Sequence, residues 1–139
     1  MRKFSTILAA GAMALCTSGY ASQPQAAAPP VDSGAGAEQR VELSNFDFNP
    51  KEIRLQAGHP YALVVANLAS GGHNFTAKEF FAAARIEPAD TALVTDGEIE
   101  VPAMSTRTVH LVPAAGSYKL VCTHAGHAFL GMKGKIVVE

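Results

Sequence analysis

The chain has 139 residues, enough for about one domain. Hydrophobic residues make up 48%, which supplies a core, while charged residues make up only 17%. The formal net charge is −1 and no basic run occurs, which argues against a nucleic-acid partner.

Residues 1–21 read as a secretory signal peptide. Arg2 and Lys3 form a positive start, and Phe4 to Leu15 is an apolar run too short to span a bilayer comfortably. Gly19-Tyr20-Ala21 then offers small residues for cleavage after Ala21. Cleavage would take the net charge from −1 to −3 and would remove Cys16. Leu15 is larger than a lipoprotein site usually accepts, so lipid anchoring at Cys16 is not expected. The domain is expected in the periplasm, with Cys122 as its one cysteine. Such a thiol has no disulfide partner in its own chain, and metal ligation would account for it.

Residues 22–38 are rich in Ala, Pro, Gly and Gln and have little to bury, so a disordered linker is expected. Residues 39–139 are expected to form the domain. Val41 and Leu43 alternate, then Phe46 and Phe48 continue in the opposite phase, which predicts a bulge at Ser44-Asn45. Pro50 ends that strand. Ile53 and Leu55 begin another. Tyr61, Leu63, Val65 and Asn67 share one face of a third, and Val64 on the other face makes it a central strand. His59, between Gly58 and Pro60, reads as a surface turn residue.

His73-Asn74-Phe75 follows a glycine-bearing turn at Ala69 to Gly72. Thr76 and Glu79 then have the spacing of a capping box, with Phe75 and Phe80 as a hydrophobic staple. This predicts a short helix over residues 77–85. Residues 87–97 read as loop. Ile99 and Val101 form a short strand. Val109 and Leu111 form the next, with His110 on its solvent face. Tyr118, Leu120 and Cys122 share a face, which turns Cys122 inward. Ile136 and Val138 mark the last strand. About seven short strands and one helix predict an all-β, Greek-key sandwich.

The stretch from Cys122 to Met132 carries the chemistry. Thiolate, imidazole and thioether donors stand at Cys122, His127 and Met132, so one loop can bring all three to one metal. This soft, mixed set suits copper cycling between Cu(I) and Cu(II). A trigonal site needs a second imidazole, for which His73 is the best candidate. Met104 is another possible thioether but lacks the spacing. His124 could chelate beside Cys122 in principle.

The arrangement resembles the cupredoxin family, the small blue copper proteins. Azurin-like members carry Cys-x4-His-x3-Met. The Cys-x4-His-x4-Met here, with the Gly-Met-x-Gly-Lys-Ile-Val-Val run around Met132, is similar to the rusticyanin loop. The resemblance covers roughly residues 40–139. It implies a Greek-key sandwich with one copper ion held by His73, Cys122, His127 and Met132. It also implies that the loop histidine is His127 rather than His124, that Asn74 ties the two ligand-bearing segments together, and that a helix can be inserted after the first histidine. In the family the loop histidine serves as the electron port. Ala125, Gly126, Ala128, Phe129 and Leu130 would then form an apolar patch around His127, suited to brief docking with a redox partner.

The expected function is an exported, monomeric carrier of single electrons, not an enzyme. A periplasmic copper carrier or buffer could use the same ligands. A thiol enzyme built on Cys122 and a histidine is disfavoured by the inward strand position of Cys122 and by nearby Met132. A structural zinc site is disfavoured because such sites are normally closed by four strong ligands.

Overall fold

The computed structural model describes residues 36–139. The expected signal peptide, Cys16 and the expected linker as far as residue 35 lie outside the described residues. Ten strands and two short helices follow: β1 (Ala37–Ser44), β2 (Asp47–Asn49), β3 (Glu52–Leu55), β4 (Tyr61–Asn67), β5 (His73–Thr76), α1 (Lys78–Ala83), β6 (Arg85–Ile86), a 3-10 helix (Pro88–Leu93), β7 (Glu98–Val101), β8 (Thr106–Val112), β9 (Gly116–Val121) and β10 (Lys133–Val138).

The strands form two sheets, ordered β2-β1-β4-β8-β6 and β3-β10-β9-β5-β7. The chain crosses repeatedly from one sheet to the other, giving the expected all-β sandwich with a short helix. Period-two alternation lets each sheet turn one apolar face inward. Val41, Leu43, Phe48, Leu63, Val65, Val109 and Leu111 enter the core from the first sheet. Ile53, Leu55, Phe75, Ile99, Val101, Leu120, Ile136 and Val138 enter from the second. Burying each of the larger side chains contributes roughly 1.5–3 kcal/mol. As predicted, β4 is central, between β1 and β8.

Four local expectations need correction. The phase switch after Leu43 is not a bulge but a hairpin turn. Ser44 pairs with Asp47 and Leu43 with Phe48, so Asn45 and Phe46 form a two-residue connection. Leu43 and Phe48 then lie opposite each other and share the core face, which is why their phases differ along the chain. The helix is shorter than predicted, ending at Ala83, and Arg85 already belongs to β6. Thr76 does not cap it. The N-cap is Ala77 and has no side-chain cap bond. The Thr76 hydroxyl instead lies 3.1 Å from both Asn74 Oδ1 and Glu98 Oε2. Finally, the stretch read as loop contains the 3-10 helix. Asp90 in that helix accepts from the His110 backbone N–H at 2.8 Å and meets its ring Nδ1 at 2.7 Å, so half-buried His110 tethers the segment to β8.

A buried Asn67 ends β4 and organises the loop that follows. Its Nδ2 lies 2.9 Å from the carbonyls of Gly71 and Val101 and 3.1 Å from that of Pro102, while its Oδ1 accepts from Ala69 N–H at 2.9 Å. The loop leading to His73 is thereby pinned to the end of β7. No helix among the described residues is long and apolar enough to cross a membrane.

Candidate metal centre

His73 opens β5 and is 2% exposed, while Cys122 follows β9 and is fully buried. Between them the Asn74 amide forms a bridge. Its Nδ2 donates to Thr123 Oγ1 at 2.7 Å and its Oδ1 accepts from Thr123 N–H at 2.8 Å. Thr123 Oγ1 also lies 3.2 Å from Glu98 Oε2. A two-way amide clamp thus joins the residue after His73 to the residue after Cys122. This is the tie that the family resemblance implies for Asn74.

From Cys122 the chain turns back on itself. His127 N–H donates to the His124 carbonyl at 3.0 Å, and Met132 N–H donates to the His127 carbonyl at 3.0 Å. Cys122 N–H closes the loop on the Met132 carbonyl at 3.1 Å. Gly126 has φ +82°, a left-handed conformation that glycine takes without steric cost. Met132 is fully buried in the same core cluster as Cys122.

The fold brings three donor atoms together. His73 Nδ1 and His127 Nδ1 are 3.1 Å apart, and Cys122 Sγ is 3.9 Å from the first and 3.4 Å from the second. The point equidistant from these three atoms lies about 2.0 Å from each, the usual length of a metal–imidazole bond and a little short for metal–sulfur. Two imidazoles and a thiolate with a buried thioether nearby form a donor set that suits copper. Burial, reinforced by the neighbouring His127 and His124, holds the His73 pKa below its ordinary value, with Glu100 opposing. This favours the neutral form of the ring that a metal ligand needs. His73 Nε2 is buried and has no hydrogen-bond partner among the described residues.

The other sequence candidates lie apart from this cluster. His124 Nε2 sits 3.1 Å from both carboxylate oxygens of Glu100, and its ring centre is 6.4 Å from that of His73. His124 is not among the three converging donors. Met104 is 72% exposed on the turn between β7 and β8, and His59 is exposed in its turn. Sequence reasoning missed Phe46. Its ring stands edge-on to His127, with centres 5.2 Å apart at 88°. The only local signal was the phase switch around it.

Around His127, Phe129 is 91% and Leu130 57% exposed, with Ala125 and Gly126 also at the surface. The centre therefore has a buried interior and one half-buried imidazole beside an exposed apolar patch.

Among solved structures, the chain is similar to auracyanin B, at 20% identity and a TM-score of 0.56, covering 74% of this chain and 88% of that one. It is also similar to a dithionite-reduced auracyanin from the photosynthetic bacterium Roseiflexus castenholzii, at 18% identity and a TM-score of 0.57, covering 76% and 99%. A multicopper oxidase from Campylobacter jejuni aligns at 12% identity and a TM-score of 0.57 over 73% of this chain and 30% of the oxidase. These likenesses establish a shared fold. No curated protein sequence matches the chain significantly. The sequence model of one family matches residues 35–139, which takes in the whole described region and its donor loop. The chain belongs to the copper binding proteins of the plastocyanin/azurin family, the cupredoxins, and its centre fits one copper ion.

Proposed function

We propose that the chain is a type 1 copper protein that passes single electrons between redox partners. His73, Cys122 and His127 would hold the copper through two imidazoles and a thiolate, with the Met132 thioether as a weaker fourth donor. The observation that carries this reading is the convergence of Cys122 Sγ with two Nδ1 atoms, with His73 and Cys122 buried and His127 half-buried. Bound copper would supply the Cu(I)/Cu(II) couple. The protein's part is to hold the donors still. Asn74 joins the two segments, and the backbone bonds of Met132 fix the loop. Burial of Cys122 and Met132 keeps water from competing for the site. Half-buried His127 is the port, and Phe129 and Leu130 form the contact for a partner. Single-domain size and the pattern of residues 1–21 support a monomer exported to the periplasm.

Cu(II) added to the domain should give an intense visible thiolate-to-copper band. Cys122→Ser should abolish it, because a hydroxyl stays protonated and is a poor soft donor. A band that survives in that variant would overturn the ligand assignment. Met132→Gln should keep copper but lower the reduction potential, since a harder oxygen donor favours Cu(II). An unchanged potential by voltammetry would remove Met132 from the proposed ligand set. Rapid loss of copper from the wild-type domain to an acceptor, in either oxidation state, would favour a copper carrier instead.

A further inference from the structure

We propose that Phe46 is a positioning residue for His127: the hairpin between β1 and β2 holds an aromatic ring in a strained conformation to brace the port imidazole and shield it from water. The inference rests on the electron-transfer reading above. Three observations carry it.

The first is backbone conformation. Phe46 has φ +63° in a two-residue hairpin connection. Positive φ at the second residue of a turn favours glycine or asparagine there, whereas a bulky side chain in this region is a steric outlier. Strain of this kind persists where the surroundings impose it. The second is exposure. Phe46 is 39% exposed, so core burial alone does not account for an aromatic ring at this position. The third is the contact itself, a perpendicular pair at 5.2 Å between Phe46 and the one half-buried member of the three converging donors.

The other two donors need no such support. His73 belongs to β5 and Cys122 is buried directly after β9. His127 sits in a turn after Gly126, and apart from Phe46 the aromatic rings recorded beside it are those of His73 at 4.8 Å and His124 at 5.4 Å. Phe46 abuts it from a different segment of the chain. An imidazole that cannot tilt keeps the same geometry in both oxidation states, which favours fast electron transfer. A ring that covers its flank also excludes water, which would favour the more highly charged Cu(II).

Phe46→Gly separates this role from a purely structural one. Glycine accepts φ +63° without strain, which offsets part of the cost of losing the half-buried ring and of a more flexible unfolded chain, so the metal-free variant should stay folded with an unfolding midpoint near that of wild type. Its reduction potential should nevertheless fall, and electron self-exchange should slow severalfold. In the metal-free protein, nuclear magnetic resonance should show the His127 ring protons losing the ring-current shift imposed by Phe46. Phe46→Leu, which keeps bulk without an aromatic ring, should lose that shift as well. Phe46→Tyr should restore the shift, the potential and the rate. Wild-type potential, exchange rate and His127 shifts in Phe46→Gly would overturn the proposal. A wild-type protein with no visible band on Cu(II) addition would sink the type 1 reading, while the metal-free resonance comparison would still decide whether Phe46 braces His127.

Discussion

His73 shows how one buried residue ties the site to the stability of the domain. Burial, with His127 and His124 nearby, lowers its pKa below the ordinary 6.5. A histidine that is hard to protonate when folded takes up its proton more readily in the unfolded chain. Unfolding then binds protons, so the stability of the metal-free protein should fall as pH drops below about 6.5 and level off above it. The slope from this one group should not exceed about 1.4 kcal/mol per pH unit. Denaturant titrations of the metal-free domain between about pH 5 and 8 would measure it. A flat profile would mean that His73 reaches solvent. Donor type and spacing singled out Cys122, His127 and Met132 in the sequence, His73 was the best candidate for a second imidazole, and the choice of His127 over His124 came from the family resemblance; the structure brings His73, Cys122 and His127 together. That Nδ1 of both rings faces the sulfur, and that Phe46 abuts one of them, depends on distant segments and could not be read locally.

At the scale of the elements, the links between strands decide the outcome. The amide of Asn74 is 2% exposed and bonds to Thr123 through both ends. Asn74→Ala would leave the buried Thr76 hydroxyl and the Thr123 backbone N–H without that acceptor. The cost should be about 2 kcal/mol, measured as a lower unfolding midpoint, with a broader or shifted visible band in the copper form. An unchanged band would mean that the two segments hold their register without the clamp. The same network explains a misread element. Thr76 and Glu79 have capping-box spacing, but the Thr76 hydroxyl is taken up by Asn74 and Glu98. Glu98 is 22 residues away in sequence, beyond the reach of any local pattern. The hairpin at Asn45-Phe46 was misread for a related reason. A phase switch fits either a bulge or a tight turn, and the usual glycine signal of a turn is missing because Phe46 occupies that position.

For the molecule as a whole, the two inner faces were legible because alternation along each strand is imposed by burial. Strand count and pairing were less so. β6 has two residues, and β1 pairs in parallel with β4 across intervening strands. The apolar residues Phe129 and Leu130 concentrate exposure beside His127. Phe129→Glu should slow electron exchange with a small redox protein by placing a charge in the contact. Copper affinity and the visible band should stay at wild-type values, because Phe129 is not a proposed ligand. Stopped-flow rates and a competition titration on the same variant would test this. Weaker copper binding in that variant would show that the patch also holds the loop.

The order in which the chain is made gives the site a timing. His73 precedes Cys122 by 49 residues, and the other two proposed ligands come later still. β10, which follows them, lies inside its sheet between β3 and β9 rather than at an edge. While those 49 residues are being made, a nascent chain emerging from its N-terminus therefore presents only the first of the four proposed ligands. The sandwich cannot close until the last strand is inserted. Copper capture is thus a late event for this domain, and the colour of the bound form would report that β10 has been made and inserted as well as that the site has formed. If the chain crosses a membrane unfolded, the metal has to be acquired on the far side.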